Sequence, residues 1–176
     1  QRNFAAPDSK TTRLLDWTYS PLVALHFATR NIDRYDADGV VWCVDLAAAH
    51  ETVPIDLRSE LIVQGAHAFT VAMIEQATPG LGEFDLLGRD RDFVAFIEPP
   101  SLDSRIVNQY ALLSVMPGPA RDFGAWCRKH PALVHRIILP AAVKWEIRDK
   151  LDQGNVNERV MFPGLDGLAD WLKRHY

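Results

Sequence analysis

The sequence predicts an α+β domain: a mixed or antiparallel sheet with packed helices. Three observations carry this expectation. Short runs rich in β-branched and aromatic residues, "GVVWCVDL" the longest, read as strands. Other stretches carry helix caps, helix stops and apolar residues at helical spacing. Hydrophobic residues make up 48% of the chain and charged residues 24%, enough apolar surface for a core. Repeats and low-complexity tracts are absent.

The elements follow in order. Ser20-Pro21 opens a helix expected over 21–30: serine caps free N–H groups, and proline at the first helical position gives up no hydrogen bond. Leu22, Val23, Leu25, His26, Phe27 and Ala28 give that helix a broad apolar surface that must be largely buried. "RNIDRYDADG" is a polar turn, and residues 40–46 form a central strand. "ELIVQGAHAFTVAMIEQATPG" reads as helical, although Gly65 and its β-branched residues are poor helix formers. Further strands are expected at 93–97, stopped by Pro99-Pro100, at 111–116, and at 135–139, closed by Pro140. A helix over 141–152 places Val143, Ile147 and Leu151 at spacing four, with Gly154 as its stop. A last helix over 165–175 carries Leu165, Leu168, Ala169 and Leu172 on one side. All four strands are expected in one sheet.

Composition excludes several classes. The net charge of −4 gives no support to wholesale attraction of a phosphate backbone. The apolar runs are too short to span a bilayer and no signal-peptide pattern opens the chain, so the expected location is the cytoplasm. Cys43 and Cys127 lie far apart without CxxC spacing, which favours two buried, reduced thiols over a disulfide or a zinc site. Gln1 follows no methionine, so the chain is expected to be part of a longer protein. GxGxxG, Walker A, HExxH and GxSxG motifs are missing. His130 and His135 have ligand-like spacing, but Pro131 and strand-like residues lie between them, and no metal site is expected. Asp166 and Asp170 suit solvated positions near a helix N-terminus.

The chemistry concentrates in "TTRLLDWTYSPLVALHFATR", where Arg13, Asp16, Trp17 and Thr18 crowd the residues just before a helix. Arg13 and Asp16, three apart, are expected to pair and fix the turn. His26, between Leu25 and Phe27, reads as a hydrogen-bonded core histidine. Arg105 has a structural reading as a buried partner for Asp16 or Glu98. Gln109, just before an apolar strand, can point into a cleft shared with Trp17 and Thr18.

The opening stretch resembles the signature of the FRG domain, a bacterial family recognised by a TRLLDWT…P…AL.FA block. Thr12 to Thr18 match it, then Pro21, Ala24, Leu25, Phe27 and Ala28. "SRIVNQYALLSV" is similar to the family's RI..Q segment through Arg105, Ile106 and Gln109. "NERVMFPGLDGLADWL" is similar to its FPdldGLa block through Phe162, Pro163, Leu165, Asp166, Gly167 and Leu168. The Phe-Arg-Gly triplet that names the family is not in this chain. Residues 1–176 are therefore expected to form a single FRG-like domain without its N-terminal Phe-Arg-Gly segment.

The resemblance implies a bacterial protein of the kind encoded near mobile elements and defence or toxin loci. By analogy of pattern it implies an ADP-ribosyltransferase-like fold and NAD as substrate. Breaking the nicotinamide–ribose bond generates an oxocarbenium-like ribose, which preorganised dipoles can stabilise without a covalent nucleophile. In that reading Gln109 and Thr18 are the catalytic pair, Gln109 standing where transferases carry Glu. Arg13, Asp16, Trp17 and Arg105 bind the cofactor, with Trp17 as a ring wall. The implied role is a toxin or anti-phage effector acting on a macromolecular target, protein or nucleic acid, with an antitoxin or defence-system partner. The alternative is a non-catalytic nucleotide- or protein-recognition module of a bacterial defence system.

Overall fold

A computed structural model describes residues 13–176; Gln1 and Thr12 lie outside the described residues. The chain is α+β, with two small sheets and packed helices. Strand β1 (Leu14–Thr18) occupies the stretch expected to be a turn. Its partner is distant in sequence: Arg13 reaches the Met116 carbonyl and the Tyr19 N–H donates to the Tyr110 carbonyl at 3.1 Å. Helix α1 (Pro21–Thr29) starts as expected, with the Ser20 hydroxyl accepting from the Val23 N–H. Strand β2 (Gly39–Val44) precedes α2 (Leu46–His50), which Asp45 caps through the Ala48 N–H at 3.0 Å.

Helix α3 (Ile55–Gln64) and helix α4 (Val71–Ala77) replace the continuous helical stretch suggested for residues 60–80. Gly65, at φ 62°, ends α3 in the left-handed region, where a Cβ is costly. Phe69 then bonds like a strand: its N–H donates to Phe96 at 2.9 Å and its carbonyl accepts from Glu98 at 2.8 Å. That parallel bridge to Ile97 makes a helix through residue 69 impossible.

Helix α5 (Leu81–Leu87), strand β3 (Ala95–Ile97), helix α6 (Ser104–Asn108), strand β4 (Ala111–Val115) and helix α7 (Phe123–Lys129) follow. Strand β5 (Val134–Leu139) leads through a 3₁₀ turn (Ala141–Val143) into α8 (Lys144–Gln153), then α9 (Glu158–Met161) and α10 (Leu165–His175). The four expected strands do not share one sheet. One sheet has the order β1-β4-β3, with β3 and β4 antiparallel and Phe96 opposite Ser114; the other is β2-β5. The Asp45 N–H meets the Leu133 carbonyl at 2.9 Å while Gly39 lies against Leu139, so β2 and β5 also run antiparallel.

The chain folds into two compact units, each built from three chain segments. Among the described residues, the first contains Arg13–Asp16, Val44–Pro100 and Leu112–His135. Its core is apolar: Leu57, Phe69, Met73, Phe84, Phe93 and Ala95 are all buried, with Val53, Leu61 and Val115 around them. The one histidine in this core, His50, accepts from the Phe96 N–H at 3.1 Å and stands edge-on to Phe69.

The second unit contains Trp17–Cys43, Ser101–Ala111 and Arg136–Tyr176. Its interior is polar as well as apolar. Helix α1 buries Val23, His26 and Thr29, whereas Leu22 and Phe27 are exposed, so the expected broad apolar burial is corrected. Helix α8 buries Lys144, Arg148 and Leu151 while Val143 faces solvent; the buried face is rotated from the expected Val143–Ile147–Leu151 stripe. Helix α10 exposes Leu165, Leu168 and Leu172 and packs through Gly167 and Arg174 instead. A Cβ on Gly167 would lie 1.9 Å from the Phe162 carbonyl oxygen, so only glycine permits this approach of α10 to α9.

Candidate functional site

Gln109 caps the C-terminus of α6, its N–H donating to the Arg105 carbonyl at 3.0 Å. Its side-chain amide donates to the Met161 carbonyl at 2.8 Å, and its neighbour Asn108 donates to the Val160 carbonyl at 2.8 Å. Two consecutive amide side chains thereby tie α6 to α9. Thr18 comes in from the other side. Its hydroxyl donates to the Gln109 carbonyl at 2.7 Å and accepts from the Ser20 N–H at 3.0 Å. The structure therefore brings Thr18 and Gln109 together across 91 residues of sequence, through the Gln109 backbone carbonyl. It also commits one N–H of the Gln109 amide, and the Thr18 O–H, to carbonyls of the protein.

Arg105 stands one turn before Gln109 and is exposed. Its guanidinium carbon lies 5.0 Å from the centre of the Phe162 ring, so it is neither buried nor the partner of Asp16 or Glu98 suggested by the sequence. Arg30, at the end of α1, covers the same ring at 4.2 Å and pairs with Asp170 at 2.7 Å. Phe27 meets Phe162 edge-on at 6.0 Å. Sequence reading missed Arg30 and Phe162 as parts of this cluster. The only available signal was the placement of Phe162 in the third motif block, because the stack joins residues from three distant segments.

Arg13 lies in the first unit and has a different partner from the one expected. Its guanidinium pairs with Asp85 and also reaches the Met116 carbonyl at 3.2 Å. Asp85 additionally accepts the Gly118 N–H at 2.7 Å. Asp16 is exposed, so the proposed Arg13–Asp16 pair does not form. Alternation explains the change: in a strand, residues three apart point to opposite faces. Trp17 is half-buried. The first unit also holds an apolar cavity of about 250 Å³, with Leu14, Ile74, Phe84, Ile97 and Val115 on its walls and none of the expected site residues.

Behind the Thr18–Gln109 junction, the second unit buries a charge network that sequence reading also missed. Arg148, fully buried, places Nη1 2.8 Å from His26 Nδ1 and Nη2 2.5 Å from Glu158. Arg174 takes Asp152 in a two-pronged contact at 2.6 and 2.7 Å and Glu158 at 2.9 Å. Because a guanidinium can only donate, His26 Nδ1 must accept and the proton must sit on Nε2. Burial, then the charge of Arg148, pushes the His26 pKa down to about 4. The ring is therefore neutral at pH 7, and two arginines balance two carboxylates. Burial raises the Glu158 carboxyl, but hydrogen bonds and charge from its arginine partners outweigh burial and leave its pKa below the usual range. Lys144 donates to the Arg34 carbonyl at 2.7 Å, which satisfies the other buried cation of α8.

Cys127 is buried, and desolvation pushes its pKa up to about 11; Cys43 is only half-buried, contrary to expectation. Among the described residues, no group of three His, Cys, Asp or Glu side chains could hold a metal ion. No described helix is long and apolar enough to cross a membrane.

The molecule is thus an α+β protein in which polar side chains link the end of β1, α6 and α9. Residues 9–37 match the family model of the FRG domain, the part of the chain that includes β1 and α1. Neither a curated protein nor a solved structure matches the chain.

Proposed function

We propose that this chain is a non-catalytic recognition module of a bacterial defence system. One observation carries the reading: the Gln109 amide donates to Met161 and the Thr18 hydroxyl to Gln109. A transferase acting on NAD needs its polar groups aimed at the ribose, preorganised for the charge that develops there. Here the donors close on the protein's own carbonyls and lock β1, α6 and α9 into a rigid support. The buried carboxylate Glu158 and the half-buried Asp152 are likewise neutralised by Arg148 and Arg174. Such a scaffold suits ligand recognition better than turnover. The FRG match of residues 9–37 supports the defence setting.

The test is release of nicotinamide from NAD by the full-length protein, with and without protein and nucleic-acid acceptors. The expected outcome is no release above the buffer control, for wild type and for Gln109→Glu alike. Release by wild type that disappears in Gln109→Ala would restore the ADP-ribosyltransferase reading, with Gln109 and Thr18 as its catalytic pair.

A further inference from the structure

We infer that Arg105, Arg30, Phe162 and Phe27 form a binding site for a nucleoside 5′-phosphate, a ligand class that deepens the recognition reading and rests on it. Two guanidiniums share one phenylalanine ring, at 5.0 Å for Arg105 and 4.2 Å for Arg30. Stacking on Phe162 restricts both arginines without using their N–H donors. The Asp170 carboxylate occupies Arg30, in a pair whose side chains are 40% and 48% exposed. Among the described residues no carboxylate pairs with Arg105, so the cluster keeps one uncompensated cation on a protein whose net charge is −4.

An arginine fork matches two phosphate oxygens at once, which a lysine does not. Beside it, Phe27 leaves 43% of its surface exposed and is braced edge-on by Phe162. An exposed ring held rigidly next to a free guanidinium fits a ligand that carries a planar ring and a phosphate together. The ring stacks on Phe27, and the phosphate takes the outward donors of Arg105. Displacement of Asp170 lets Arg30 close on the same phosphate. Stacking on Phe27 is open to any base, so the site holds purine and pyrimidine nucleotides alike.

The experiment titrates the full chain at low salt with AMP, UMP, adenosine and inorganic phosphate, following chemical shifts or heat. AMP and UMP are expected to bind alike, and adenosine and phosphate at least about tenfold more weakly. Arg105→Ala should cost AMP about tenfold at an unchanged melting temperature, and Arg105→Lys should not restore it. Phe27→Leu should weaken AMP and leave phosphate binding as it was. Asp170→Asn should tighten AMP by releasing Arg30. Failure of AMP to bind, phosphate binding as well as AMP, or indifference to Arg105→Ala each overturns the inference. Binding of a phosphoserine peptide with no nucleotide binding also overturns it and assigns the surface to a protein. AMP binding accompanied by nicotinamide release from NAD leaves this site standing and removes the non-catalytic reading. Absence of both removes the site alone.

Discussion

The two units solve the same problem with different chemistry. The first is held by contacts among Leu57, Phe69, Phe84 and Phe93, and its core contains one histidine whose nitrogen meets a backbone N–H. The second places Arg148, Glu158, Arg174 and His26 where the first has phenylalanines. Apolar burial is non-directional and roughly proportional to area, so its loss is graded. Buried ion pairs are all-or-none: each charge is tolerable only while its partner is present. The difference predicts that the units respond to different perturbations.

The largest expected effect comes from removing one charge. Glu158→Ala leaves Arg148 and part of the Arg174 fork unpaired, and should cost roughly 3–5 kcal/mol in urea unfolding. Amide exchange should rise first in α8 and α10. Leu57→Ala in the first unit should cost about 2–5 kcal/mol, depending on how far the cavity collapses, and should speed exchange in α3 and α4. Equal loss of protection everywhere after either substitution would erase the distinction between the units.

Acid sharpens the comparison. His26 and His50 both have pKa values lowered from 6.5 to about 4, chiefly by burial. The unfolded chain therefore binds these protons first. Each histidine contributes stability that is present above pH 6.5 and lost as pH falls towards 4, roughly 3 kcal/mol apiece. Both units should weaken over that window. Below it, the second unit should go on losing protection, because the lowered carboxyls of Glu158 and Asp152 then take up protons. Exchange measured in α1 and α2 between pH 7 and pH 3 checks this, and flat protection down to pH 4 would refute it.

The smallest expected effect is at Asp16. Its carboxylate is exposed and Arg13 is paired with Asp85, so Asp16→Ala should change stability by no more than about 0.5 kcal/mol. Arg13→Ala should cost more, since it strips Asp85 and Met116 of a shared donor. A large loss from Asp16→Ala would show that the carboxylate has a partner other than Arg13.

The sequence by itself determined where most local elements lie. Ser20-Pro21 fixes the start of α1, Gly154 stops α8, and the runs at β2, β4 and β5 form strands within two residues of their expected bounds. These signals are local: caps, stops and side-chain periodicity act within one turn or one strand. The proximity of Thr18 and Gln109 was also legible, through polar residues placed at the edges of apolar elements. Tertiary structure alone decided strand partners, the partner of Arg13, and which face of α8 and α10 turns inward. A strand's propensity does not name its neighbour, so one expected sheet became two. Hydropathy assigns arginine to solvent, yet Arg148 is buried because Glu158, ten residues on, and His26, from a distant segment, supply its hydrogen bonds. Whether a charge can be buried depends on partners that only the folded chain assembles.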